Sequence, residues 1–146
     1  MKTNSLTLSF RKVAATDKSS AHLVAELRVD GVRLGEGYVL DILRLTEALT
    51  REGEHFIFTC GCGDAGCAGI FEGVRSWIAG GQVTLAGSLP KGGAFSCVLS
   101  GPQARKAVVE ALAEVQPLAA AMDGEEGYPI GPDGLMDGVI LTRLAG

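Results

Sequence analysis

The chain has little net charge and no long apolar run. A formal charge of −4 over 146 residues leaves no electrostatic footprint for nucleic acid or anionic lipid. The apolar stretches are far too short to span a bilayer, so no membrane partner is expected. The opening M-K-T-N-S-L-T-L-S-F-R-K lacks the apolar middle of a secretory signal. These absences lead us to expect a cytoplasmic protein with reduced thiols, in which clustered cysteines point to metal or reactivity more than to disulfides. There is no internal repeat, low-complexity tract or linker, so residues 1–146 are expected to form a single domain. The catalytic signatures are missing too. No serine lies in a G-x-S-x-G elbow, and no C-x-x-C opens a helix.

What is present is ordinary globular composition, 47% apolar and 21% charged, with enough length for a buried core. Leu6, Leu8 and Phe10 alternate with Thr7, Ser9 and Arg11, the period of a strand with one face buried. Leu23, Ala25, Leu27 and Val29 alternate with His22, Glu26 and Arg28 in a second strand. Asp30-Gly31 predicts a tight hairpin, because a type I′ turn needs positive φ at both central residues. A third strand should then run from Val32 to about Gly35. From Tyr38 the period becomes helical through Val39, Ile42, Leu43, Thr46 and Leu49, with Gly53 as the cap.

His55–Cys60 reads as one strand by its aromatic and β-branched content. Ile70–Ala79 and Gln82–Gly87 read as a hairpin around Gly80-Gly81. Phe95, Cys97 and Leu99 share a face of a further strand. Pro102 suits the first turn of a helix that ends before Pro117 or runs on through Ala119–Met122. Asp123–Gly138 reads as a loop and Val139–Leu144 as a last strand. The order predicts an α+β fold, a mostly antiparallel sheet with two main helices packed on one face.

The chemical accent lies in His55–Gly69, H-F-I-F-T-C-G-C-G-D-A-G-C-A-G. As a phosphate loop, Gly61, Gly63 and Gly66 match G-x-G-x-x-G, but no acid follows at the required distance and Gly69 and Gly73 oppose a helix. As a zinc site, Cys60, Cys62 and Cys67 offer three thiolates, at C-x-C and C-x₄-C spacing instead of the usual C-x₂-C. The sequence does not identify a fourth ligand; Cys97 and His55 are candidates. As a redox pair, the cysteines sit beside Asp64, whose charge raises a thiol pKa. The preferred reading is a shape. Glycines at 61, 63, 66 and 69 allow angles closed to other residues, Asp64 bonds the backbone to hold a turn, and the thiols pack beneath it. No cofactor is then expected, and zinc is the alternative.

The string F-T-C-G-C-G-D-A-G-C-A-G resembles a motif of small bacterial proteins, roughly F-x-C-x-C-G-x-x-G-C-x-G, some of them related to immunity proteins of toxin systems. The resemblance covers about Phe58 to Gly69. It implies a strand leading into the loop and a β-hairpin after it, and it implies no enzymatic activity and no catalytic residue.

Elsewhere, His22 shares a strand face with Glu26 and Arg28, and His55 stands at a strand start beside Glu52 and Glu54, where a surface position accounts for it as well as a general base would. Asp123, Glu125, Glu126, Asp133 and Asp137 miss the calcium-loop spacing and read as a solvated acidic loop tipped by Tyr128, Pro129 and Ile130. The sequence therefore points to a non-enzymatic binding domain, of immunity or regulatory type, whose partner is another protein. Its contact loops would be Gly61, Gly63, Asp64 and Gly66, or Glu125, Glu126 and Tyr128. The net charge is compatible with a basic partner.

Overall fold

A computed structural model describes residues 2–13, 17, 22–36, 38–59, 69–70, 72–89 and 93–121. The Gly-Cys loop, the acidic loop and the expected strand at 139–144 lie outside the described residues. The described elements form an α+β fold whose paired strands are all antiparallel.

β1 (Leu6–Val13), β2 (His22–Val29) and β3 (Val32–Leu34) form one sheet in that order. The expected hairpin is there, with φ of 50° at Asp30 and 80° at Gly31. The Asp30 carboxylate accepts from Asn4 Nδ2 at 2.6 Å and from the Ser5 N–H at 2.8 Å. β3 stops at Leu34, one residue before the expected Gly35, where φ turns to 67°.

The helical period read from Tyr38 begins later than it appears in the sequence. Val39–Leu40 is strand β4, paired with β6 (Phe58–Thr59). Asp41 then caps α1 (Ile42–Thr50), its Oδ1 accepting from the Arg44 N–H at 3.2 Å. The helix closes on Arg51 in an extended conformation, and Gly53, expected as its cap, instead opens β5 (Gly53–His55) at φ 132°. The expected strand from His55 to Cys60 is thus divided. β5 pairs with β7 (Val74–Ala79), whereas β6 pairs with β4 in another sheet. The chain changes partners at Phe56–Ile57, where the Ile57 carbonyl accepts from the Asp41 N–H at 2.8 Å.

β7 and β8 (Gln82–Ser88) form the expected hairpin, with φ of 58° and 76° at Gly80 and Gly81, though β7 starts at Val74 and not Ile70. β9 (Ala94–Ser100) completes a four-stranded sheet in the order β5-β7-β8-β9. α2 (Gly101–Ala121) follows directly, with Pro102 in its first turn, and continues through Pro117. The three-stranded and four-stranded sheets meet where Asn4 bridges Leu99 in parallel, its N–H donating to the Val98 carbonyl and its Oδ1 accepting from the Val98 N–H at 2.8 Å. α1 packs on β5 and β7, α2 packs on β1 and β9, and the helices touch each other. Ile42, Leu45, Leu49, Leu85, Leu99 and Leu112 are fully buried between them. No described helix is long and apolar enough to cross a membrane.

Candidate functional site

Of the residues singled out in the sequence, Cys60, Gly61, Cys62, Gly63, Asp64, Gly66, Cys67, Glu125, Glu126 and Tyr128 lie outside the described residues, as does the side chain of His22. The two candidates for a fourth zinc ligand are described. His55 is not at the surface; only 6% of it is exposed. The ring reaches the C-terminal end of α1. Nε2 lies 2.8 Å from the Arg51 carbonyl oxygen, which can only accept, so Nε2 carries the hydrogen. The ring thereby satisfies one of the carbonyls that every helix C-terminus leaves unpaired.

Cys97 is a free, buried thiol, paired in register with Leu85, and burial pushes its pKa up. It occupies β9, whereas His55 occupies β5, with β7 and β8 between them. Three inter-strand steps of about 4.8 Å put them roughly 14 Å apart. An ion that binds within about 2.3 Å of each ligand cannot take both. Among the described residues, no three His, Cys, Asp or Glu side chains gather around one point.

Two sheet faces bring exposed or charged side chains together among the described residues, and neither was singled out in the sequence. The first is the face of the four-stranded sheet that carries Arg75, Trp77 and Ala79, all exposed, opposite the buried face of Val74 and Ser76. Trp77 is 49% exposed and pairs across the strands with Thr84, which in turn pairs with Val98. Trp77 lies toward the hairpin end of β7, just past the β5 ladder, which ends at Ser76.

The second is the face of β1–β3 opposite Leu6, Leu8, Ala25 and Leu27. Here Glu26 is buried although it sits at an outward position. Arg11 Nε donates to its Oε1 at 3.0 Å and Arg28 Nη2 to its Oε2 at 2.7 Å, with Arg33 Nη1 3.8 Å from Oε1. These hydrogen bonds, from Arg11 first and Arg28 next, hold the Glu26 carboxyl below its ordinary range against the opposing effect of burial. Asp41, the other buried carboxylate among the described residues, moves the opposite way. Desolvation raises its pKa, and the Arg44 N–H only partly offsets that. Alternation marks Arg11, Glu26 and Arg28 as outward, and the two-residue turn at Asp30-Gly31 places Arg33 opposite Arg28. The cluster was therefore derivable from hairpin register, which is the signal that residue-by-residue reading passes over. No family model, curated protein or solved structure matches the chain.

Proposed function

We propose that the chain is a non-enzymatic, cytosolic domain that works by binding another protein. Trp77 carries this reading. A tryptophan 49% exposed on a flat sheet keeps a large apolar ring in water, and such residues are enriched at the centres of protein interfaces. Arg75 beside it is the other residue type favoured there. A tryptophan side chain turns about only two bonds, so little conformational freedom is lost when a partner covers it.

The buried reactive groups point the same way. His55 is bonded to the end of α1, Asp41 caps its start, and Cys97 is packed in the core. Each is accounted for by the fold. The resemblance of the Gly-Cys loop adds a concrete form: an immunity-type protein that covers the working surface of another protein.

The test pairs affinity capture with a purified titration. Native chain, Trp77→Ser, and a chain lacking Glu125 to Ile130 are compared. A captured protein that binds the native chain saturably, and loses affinity about tenfold or more with Trp77→Ser, supports the reading. A set of captured proteins unchanged by both alterations rejects it.

A further inference from the structure

We propose that the outward face of β1–β3 receives an acidic segment of the protein partner, with Arg28 and Arg33 as the residues that pair with its carboxylates. This rests on the protein-binding reading and goes further by naming the chemistry of the partner. Arg28 and Arg33 stand directly opposite each other across β2 and β3. Like charges at that spacing repel. Glu26, which also carries Arg11, is what holds them together. The remaining neighbouring carboxylate, Glu36, is 3.9 Å from Arg33 with its side chain 77% exposed, so it is a weak and mobile counter-charge. Even with Glu36 counted, three guanidiniums face two carboxylates among the described residues, an excess of positive charge.

Arg28 donates from Nη2 to Glu26 at 2.7 Å and from Nη1 to Ser9 Oγ at 3.4 Å, which among the described residues leaves its Nε–H and one hydrogen on each amino group over. The Nε of Arg33 is buried and has no hydrogen-bond partner among the described residues. Arg11 is exposed over 57% of its side chain and Arg28 over 34%. Guanidinium forks fixed by a neighbouring carboxylate match an incoming carboxylate two bonds at a time.

The shape of the surface narrows the ligand. β2 is the central strand, paired with β1 along its length and with β3 over Leu27–Val29, so the backbone around Arg28 is used in ladders on both sides. A small free anion is ordinarily held in a concave nest of backbone N–H groups, which a flat sheet face does not offer. A polyanion such as nucleic acid would meet a chain of net charge −4 beyond this patch. A protein surface presenting two or three acidic side chains fits both conditions. The local charge is thus the reverse of the chain's overall sign, and it selects an acidic contact where the net charge alone was compatible with a basic one.

The experiment is a ¹⁵N NMR titration of the full chain with a synthetic Glu- and Ser-containing decapeptide, with inorganic phosphate and a short single-stranded DNA as the other arms. The expected result is saturable movement of the Arg28 and Arg33 Nε–Hε signals with the peptide. Affinity should fall about tenfold between 20 and 200 mM salt through charge screening. Arg28→Gln should abolish the movement, and Arg28→Lys, which keeps the charge without the fork, should leave it partial. No movement on this face, or equal or tighter binding of phosphate or DNA to the same signals, overturns the proposal; the native-chain titration gives that answer even if a variant fails to fold. A partner captured through Trp77 but indifferent to Arg28→Gln overturns the acidic-segment inference alone. Failure to find any saturable protein partner overturns protein binding and this inference together.

Discussion

The Ser76 hydroxyl donates a 2.6 Å hydrogen bond to the Ala48 carbonyl oxygen, tying the buried face of β7 to the last turn of α1. That carbonyl is among the final four of the helix, which lack an intrahelical donor. Together with the His55 bond to the Arg51 carbonyl, it means that α1 is finished by side chains from the sheet beneath it.

Ser76→Ala should therefore destabilise the fold by about 1–3 kcal/mol, the cost of leaving a buried acceptor without its partner. Urea unfolding followed by circular dichroism measures it. A change below about 0.5 kcal/mol would mean that the carbonyl finds another donor.

At the other end of α1, Asp41 caps the helix while its burial disfavours the charged form. Asp41→Ala loses the cap and should cost about 1 kcal/mol. Asp41→Asn keeps a capping oxygen and removes the buried charge, so at neutral pH its stability should equal or exceed that of the native chain. The raised pKa sets the sign. The folded state binds the Asp41 proton more readily than the unfolded state, so this group opposes stability at neutral pH and ceases to do so as pH falls through its folded value.

Glu26 works in the opposite sense. Its folded pKa lies below the ordinary value of 4.5, so its contribution is complete above that value and is lost as pH falls through the lowered one. Acid titration of stability should show this loss beginning below about pH 4.5, and Glu26→Gln should flatten it. At neutral pH, Glu26→Gln should also cost about 1–3 kcal/mol, more at low salt, because three guanidiniums would lose their shared counter-charge.

Gly35 turns at φ 67°, and a Cβ there would run into the Phe58 ring. Gly35→Ala combines strained backbone with overpacking of a buried ring, and should destabilise by roughly 2–4 kcal/mol. Thermal unfolding tests it. A variant with unchanged Tm would mean that β6 can shift away from β3 without loss.

Cys97 is buried, and desolvation keeps it in the unreactive thiol form. Mass-spectrometric mapping after brief exposure to iodoacetamide at pH 7.5 should leave Cys97 unmodified in the native chain and label it after unfolding in urea. Elemental analysis of the same preparation tests the zinc alternative. Under the preferred reading, zinc is far below one ion per chain and a chelator leaves the circular dichroism unchanged. Stoichiometric zinc lost together with the fold would establish a thiolate site instead.

Local chemistry in the sequence was enough for the hairpins and for much of the charge pattern. Asp30-Gly31 and Gly80-Gly81 are residue pairs that tolerate positive φ, and a two-residue turn sets every pairing beyond it. Arg28 opposite Arg33 and Trp77 opposite Thr84 follow from those turns. Only the tertiary structure decided that residues 53–59 serve two sheets, that His55 reaches the C-terminal end of α1, and that Glu26 is buried on a face read as polar. Alternation specifies which side of a strand a residue takes, but it carries no information about which strand lies alongside or which unpaired carbonyl waits nearby. Those are settled by hydrogen-bond groups far apart in the chain that must be matched once water is excluded.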